Sequence, residues 1–394
     1  MLIAGEASGD LLAAELVSAL LAAPKQSEDE RAQSSIPNHP SPPRFFGAGG
    51  PKMAQAGVEL AFDLTQHAAT GIPTFPEYFE LRKLFNQLLA LAIERKPDAI
   101  IGVDFGGFNL RFGHAIKQYV RNHTGADWNP KIIQFVSPQV WASRPARARL
   151  LEADYDLLLS IFLFEKDWYR QHAPKLRVEF VGHPMVGRFA TADRRWKMED
   201  RIGNAPIILL LPGSRVDELR RHLPVMLGAL TQIREKLPQA TAKMILPNEE
   251  LKTLAAELTE PRSNLEIQTG NLPDALAQAD VAIASTGTVT MECALFGVPA
   301  VTLYKTSWFN FQIAKRIVTV KWATMPNILA DAEVYPEFIQ SVATPENIAS
   351  AALELLQNES RRQKIKSQLA NIVASLGEPG ASRRAAAAIL SLFT

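Results

Sequence analysis

Short apolar runs punctuate this chain and break each time at Gly, Pro, Ser, Thr or Asp. They fall at Leu2–Ala4, Arg44–Ala48, Ala99–Val103, Lys131–Phe135, Leu157–Phe162 and Val178–Val181. A second set begins at Ile207 and continues at Lys243–Leu246, Leu265–Gln268, Val281–Ala284 and Ala300–Tyr304. Runs this short, bounded by turn residues, read as strands rather than buried helices. Between them, apolar residues recur at helical spacing, as in Leu11–Ala23 and Phe79–Arg95. Regular alternation of strand and helix predicts an α/β protein with doubly wound parallel sheets.

Two segments interrupt the alternation. Pro24–Pro43 is polar, rich in proline and without period, which predicts a disordered surface loop over 24–43. The stretch around Thr191–Asn204 is also without apolar period and reads as a linker. With 394 residues the chain exceeds what one hydrophobic core usually serves, so two domains are expected. They are placed at 1–190 and 205–360, each Rossmann-like. From Thr344 the chain reads as two or three helices rich in Ala and Leu, and residues 361–394 are expected to pack back on the N-terminal domain.

Composition narrows the function classes. A net charge of +1 gives no global attraction to nucleic acid, so none is expected as a partner. The single cysteine, Cys293, excludes an internal disulfide and a cysteine-based metal cluster, and its apolar helical setting predicts a buried, inert thiol. No run reaches the roughly 18 apolar residues of a membrane span. Met1–Ala4 leads directly into GEASGD without the charged and apolar regions of a signal peptide, so a cytoplasmic location is expected.

The candidate chemistry sits at two strand-turn-helix units, Ile207–Leu219 (IILLLPGSRVDEL) and Val281–Pro299 (VAIASTGTVTMECALFGVP). Turns of Gly213 and Ser214, and of Thr286, Gly287 and Thr288, aim backbone N–H groups above a strand's carboxyl end, where the helix dipole favours an anion. Arg215 follows the first turn with a planar fork of donors suited to a diphosphate. Glu292 stands one helical turn past Thr288, where it can accept from two hydroxyls of a ribose. Taken singly, each motif also reads as a tight turn, a solvated arginine or an acid at a helix start. Taken together they favour a nucleotide diphosphate carrying a sugar.

Nine segments, in order, then resemble the lipid-A-disaccharide synthase family: AGEASGD at Ala4–Asp10, GAGGPKM at Gly47–Met53, FVSPQVWA at Phe135–Ala142, FEKDWY at Phe164–Tyr169, FVGHP at Phe180–Pro184, LLPGSRVDEL at Leu210–Leu219, TGTVTMECA at Thr286–Ala294, MPNILA at Met325–Ala330 and YPEFIQ at Tyr335–Gln340. The resemblance implies a GT-B glycosyltransferase with two Rossmann-like domains facing across a cleft. It implies inverting transfer of diacylglucosamine from UDP to a diacylglucosamine 1-phosphate acceptor, without metal or cofactor. The UDP-sugar donor then belongs to the second domain, with Gly213, Ser214 and Arg215 near the phosphates, Glu292 at the ribose, and Thr286, Gly287 and Thr288 also in the donor site. The chain departs from the family pattern in its first half. Asp104-Phe105-Gly106-Gly107-Phe108-Asn109 stands where Asp-x-Pro-Asp-Phe-Asn is usual, Ser143 replaces a tryptophan, and Thr70 and Thr74 replace Met and Glu. These departures leave open a different acceptor, or a member that binds without turnover. A dehydrogenase is set aside because no GxGxxG follows the first strand.

An inverting transfer needs a base. Asp104 ends a buried strand at the end of the sheet where α/β proteins place their chemistry, and Glu6 on the first turn is its rival. Ser8 or Asp10 is expected to cap the first helix, and His183 reads as a backbone-bonded hinge residue. Ser307–Trp322 mixes Trp308, Phe309, Phe311 and Trp322 with Lys315, Arg316 and Lys321. It reads either as a helix at an anionic membrane surface or as one packed on its own domain. The family's acylated substrates favour the membrane, on the inner face of the inner membrane. A homodimer stays open.

Overall fold

A computed structural model of the protein describes residues 1–23, 43–67, 75–123, 127–189, 205–259 and 264–394. The loop expected at 24–43 lies outside these residues apart from Pro43, and so do the linker expected at Thr191–Asn204 and the departures Thr70 and Thr74. The chain forms two compact units, Met1–Pro184 with Leu376–Thr394, and Met185–Ser375.

In the first unit, β1 (Leu2–Ala4), α1 (Ala7–Ala22), β2 (Phe46–Gly49), α2 (Pro51–Gln55) and β3 (Glu59–Asp63) precede α3 (Phe75–Arg95) and β4 (Ala99–Val103). Next come α4 (Gly106–Asn122), β5 (Lys131–Phe135), α5 (Val140–Ser143), α6 (Ala148–Asp154), β6 (Leu157–Ser160), α7 (Leu163–His172) and β7 (Val178–Phe180). The strands pair in parallel in the order β3-β2-β1-β4-β5-β6-β7. Ile3, Ile100, Ile132 and Leu158 are buried in the sheet, and helices carrying Leu88, Phe112, Ile116 and Leu151 cover it. A parallel sheet needs crossovers, which place helices on both faces and leave strands apolar throughout.

A short helix, α8 (Pro184–Arg188), starts at the last residue of this segment and otherwise belongs to the second unit. The second unit contains β8 (Ile207–Leu211), α9 (Val216–Lys236), β9 (Thr241–Leu246), α10 (Glu249–Glu257), β10 (Leu265–Thr269), α11 (Leu272–Gln278), β11 (Val281–Ser285) and α12 (Val289–Leu295). It continues with β12 (Ala300–Tyr304), α13 (Trp308–Ile317), α14 (Met325–Ala330), β13 (Glu337–Ile339), α15 (Pro345–Gln357) and α16 (Glu359–Ser375). Its strand order is β10-β9-β8-β11-β12-β13, again parallel. The last helix, α17 (Ala381–Leu390), packs on α1 in the first unit.

Three expectations are revised. The terminal segment does not act as one piece from residue 361: α16 packs on α12, α14 and α15 and buries Ile365, Leu369 and Ile372 in the second unit. Only α17 joins α1, through the small buried residues Ala381, Ala385 and Ala386 with Ile389. Edge strands β3 and β13 were not read from the sequence. Their residues are exposed or half-buried, so they lack the continuous apolar run of a central strand, while the other edges, β7 and β10, match segments read from the sequence. Finally, α1 starts at Ala7 after Glu6, without a side-chain cap. Asp10 instead lies one turn inside, 2% exposed, and its carboxylate accepts from the N–H groups of Gly50 (2.8 Å), Lys52 (2.9 Å) and Met53 (3.0 Å). It caps the start of α2 from a different element, satisfying donors that a helix start leaves unpaired.

A buried polar cluster ties β5, β6 and α7 together. Glu165, 1% exposed, accepts from Trp141 Nε1 at 2.9 Å and from the Ser160 hydroxyl, while Ser137 and Tyr169 hydroxyls bond at 3.0 Å. Burial pushes the Glu165 carboxyl up to about 7, against the opposing hydrogen bonds. A raised acid keeps its proton in the folded state after the unfolded chain has lost it, so stability falls as pH rises from 4.5 towards 7. Relative to Glu165→Gln, the wild type is expected to lose roughly 3 kcal/mol across that window, from 1.36 kcal/mol per unit. Urea unfolding of both proteins at several pH values measures this, and parallel pH profiles would refute it.

Candidate functional site

In each sheet the strand order reverses once, between β1 and β4 in the first unit and between β8 and β11 in the second. At such a switch point the two following turns diverge to opposite faces and leave a crevice at the strands' carboxyl ends. Every residue singled out for chemistry lies on one of these four turns or on the helix just after it.

In the first unit, β1 pairs β4 with Leu2 opposite Ile101 and Ala4 opposite Val103. The register sets the turn after β1 beside the turn after β4, and the Ser8 hydroxyl donates to Asp104 Oδ2 at 3.3 Å. Glycines allow this approach: a Cβ on Gly5 would lie 2.4 Å from the Phe105 ring, and one on Gly9 would lie 3.3 Å from Asp104 Cβ. Asp104 and Phe105 both take left-handed conformations, with φ of 51° and 48°. For residues with a Cβ this costs about 1–2 kcal/mol each. The surroundings hold them there. Asp104 N–H donates to the Phe135 carbonyl, and the Asp104 carbonyl accepts from Asn109 Nδ2 and Gln134 Nε2, each at 2.8 Å. Burial raises the Asp104 carboxyl above the ordinary aspartate value, opposed by the Phe105 N–H and the Ser8 hydroxyl.

Glu6 occupies the residue before α1, half-buried on the same turn as Ser8, and its carbonyl accepts from Asp10 N–H. Gly107, where the family pattern has a second acid, is exposed, and a Cβ there meets nothing within 4 Å. Phe105, Phe108 and Phe112 stack at 5.3 Å and 6.3 Å beside the turn. His183 is buried, and its N–H donates to the Leu376 carbonyl.

In the second unit, β8 pairs β11 with Leu211 opposite Ala284, which sets the Pro212–Arg215 turn beside Thr286–Thr288. Gly213 has φ of 122°, and a Cβ there would lie 2.4 Å from Glu218 Oε2. Glu218 folds back over the turn, accepting from Ser214 N–H at 3.1 Å and from Arg215 Nη1 at 3.1 Å. Arg215 is thus held by a carboxylate of its own helix, in an exposed pairing of small energy. Gly287 and Thr288 are exposed, Thr286 half-buried, and the Thr290 hydroxyl bonds the Gly287 carbonyl. Burial pushes Glu292 up to about 7, against the opposing charge of Arg188. Cys293 is buried, which raises its thiol pKa.

Four residues of this architecture escaped the sequence reading. His222 on α9 is buried, its Nδ1 is 2.7 Å from the Pro212 carbonyl, and its Nε2 accepts from Lys305 N–H at 3.0 Å. The ring is therefore a neutral tautomer that links the turn after β8 to the residue after β12, and burial lowers its pKa. A signal was present, since His222 lies on the apolar stripe of Leu219 and Met226. Glu218 was legible as an acid three residues after Arg215, the spacing of a capping box. Asn109 closes the Asp104–Asn109 motif and lies 5 residues from the carbonyl it reaches, whereas Gln134 carried no such signal, because the same carbonyl is 30 residues away.

Comparison with known proteins follows the same lines. A profile of the family described as lipid-A-disaccharide synthetase matches residues 1–392. The lipid-A-disaccharide synthase of Myxococcus xanthus is 32% identical over 398 residues, covering 100% of this chain and 97% of that protein. That of Trichlorobacter lovleyi is 33% identical over 399 residues, with the same coverage. Among solved structures, MnaA of S. aureus in complex with UDP superposes with a TM-score of 0.59 at 14% identity, covering 100% and 96% of the two chains. MurG of Acinetobacter baumannii gives 0.54 at 17% identity, covering 99% of each. The structural likenesses show the shared GT-B fold, and the full-length sequence match shows the family. This chain belongs to the lipid-A-disaccharide synthase family.

Proposed function

We propose that this enzyme condenses UDP-2,3-diacylglucosamine with 2,3-diacylglucosamine 1-phosphate, giving lipid A disaccharide 1-phosphate and UDP. The observation that carries this reading is the family match over residues 1–392. Two switch-point turns with complementary chemistry support it, an acid in the first unit and a phosphate-suited turn in the second. Asp104 takes the proton of the acceptor hydroxyl as the oxygen forms its bond to the donor's anomeric carbon. The bond from that carbon to UDP breaks on the opposite side, so the configuration inverts. Gly213, Ser214 and Arg215, with Thr286, Gly287 and Thr288, hold the departing diphosphate, and Glu292 accepts from the ribose hydroxyls. A base works best with a pKa near the operating pH, and burial moves Asp104 in that direction. Glu6, on the neighbouring turn, is the next candidate for the base.

Asp104→Asn is expected to leave UDP affinity unchanged while lowering turnover at least about a hundredfold, the low end for general base catalysis. Steady-state kinetics with both glycolipids, alongside calorimetry with UDP, tests this. Near-normal turnover would make Asp104 a structural residue and pass the role to Glu6.

Arg215→Ala should weaken UDP binding by no more than about 3 kcal/mol, the range of a charge-assisted hydrogen bond. Its present partner, Glu218, has to release it first, which reduces the net effect. Unchanged UDP affinity by calorimetry removes Arg215 from the donor site.

The enzyme also works peripherally on the anionic inner face of the inner membrane in this reading. No helix among the described residues is long and apolar enough to cross a membrane. Instead α13 buries none of its residues, with Trp308 75% and Phe309 63% exposed and Lys315 and Arg316 in its last turn. Lys321 follows, over the Trp322 ring at 4.4 Å. Exposed rings beside cations suit an interface of headgroups and acyl chains. Vesicles containing anionic lipid are expected to float wild type but not the Trp308→Ser, Lys315→Glu double variant, with recovery falling as salt screens the charges. Equal recovery of the two proteins refutes the assignment.

A further inference from the structure

Three arginines of the first unit lie close enough to act on one another. Arg111 is on α4, Arg144 ends α5, and Arg147 follows it just before α6. Arg95, Arg121, Arg177 and Arg362 each have a carboxylate within ion-pair distance. Among the described residues no side-chain hydrogen bond or ion pair engages the guanidinium of Arg111, Arg144 or Arg147. Arg147 is half-buried, and the three are close enough for charge to matter: burial lowers the Arg147 pKa first, and repulsion from Arg144 and Arg111 lowers it further. Gathering three like charges without a counter-charge is unfavourable. Isolated surface arginines need no explanation, but repulsion among three of them calls for an anion that reconciles them.

Their position says which anion. The first turn of α4 follows directly from Asp104 and Phe105, and Gly106 abuts Pro138 so closely that a Cβ would lie 2.7 Å from the Pro138 side chain. That contact brings the start of α4 against the segment leading into α5, and α6 packs along α4. Arg111 is five residues past Gly106, so it stands about 8 Å along the helix axis from the turn that carries Asp104. A sugar whose hydroxyl meets Asp104 spans that distance with its opposite end. Guanidinium forks match the oxygens of a phosphate in pairs, and a doubly charged phosphomonoester offsets more than one of them.

We infer that Arg111, Arg144 and Arg147 form an anion site for the phosphomonoester of the acceptor glycolipid, orienting its sugar so that the hydroxyl meets Asp104. This rests on the acceptor named above and adds what recognises its phosphate. The same chemistry has a second source in the anionic headgroup of a membrane lipid, and the experiment separates the two.

Binding and turnover are measured in detergent for wild type, Arg147→Gln and the exposed pair Arg111→Gln, Arg144→Gln. Each is given the acceptor with its phosphate and the same glycolipid without it. For the phosphorylated acceptor, both variants are expected to raise the dissociation constant and KM at least tenfold. UDP affinity should not move, and the acceptor without phosphate should be used equally by all three proteins. Arg147→Lys, which keeps the charge but not the fork, should recover part of the loss. An equal loss on both acceptors, or no loss on either, overturns the site. Loss confined to flotation with anionic vesicles, with phosphate discrimination intact in detergent, assigns the cluster to lipid headgroups and overturns it too. A wild type that binds the phosphorylated acceptor through these arginines but transfers nothing would count against the proposed reaction and uphold the site.

Discussion

Parallel pairing of β1 with β4 and of β8 with β11 is the constraint on which everything else in this molecule depends. A parallel sheet is covered on both faces by its crossover helices, so neither face is left for a ligand. What remains open is the carboxyl edge, and there only where neighbouring turns depart in opposite directions. Each sheet has one such reversal. The fold therefore concentrates acids, glycines and helix starts at two places and packs apolar residues everywhere else.

At the first of these places, local backbone strain is held by buried amides. Left-handed Asp104 and Phe105 run against ordinary steric preference, and two side-chain amides with one strand hydrogen bond compensate at the Asp104 backbone. Gln134 comes from β5 and Asn109 from α4, so the conformation exists only once strand and helix are in place. Asp10 works by the same logic at longer range, since it satisfies the start of α2 only when α1 lies beside it.

Burial also sets the charge states. Glu165 and Glu292 are both pushed up to about 7 by desolvation, though one is tied into a network of hydroxyls and an indole and the other is opposed by the charge of Arg188. His222 is held neutral by a carbonyl on one nitrogen and an N–H on the other. Uncharged at neutral pH, it links two turns of the second unit without adding a positive charge beside Arg215. Arg111, Arg144 and Arg147 show the opposite case, charges that cannot be shed and that meet no carboxylate among the described residues.

Much of the fold is legible in the linear pattern. Central strands such as Ala99–Val103, Lys131–Phe135 and Ala300–Tyr304 are read to the residue, because strands buried on both faces leave continuous apolar runs. The turns carrying Gly213, Thr286 and Asp104 are legible for the same reason, as breaks directly after those runs, and the ordered motifs identify the family. Edge strands β3 and β13 are not, because their residues are exposed or half-buried and leave no continuous apolar run, whereas the other two edges, β7 and β10, are legible. Nor does α16 betray that it stays with the second unit while α17 returns to α1, because an amphipathic helix announces that it has a partner but not which one. The sequence by itself determined where chemistry-bearing turns occur and what kind of ligand they suit. Only the tertiary structure decided that Ser8 meets Asp104, that Gln134 reaches the Asp104 carbonyl, and that Arg144 and Arg111 come near enough to Arg147 for their charges to act on it. Such meetings follow from strand order and register, which the local pattern of a chain does not encode.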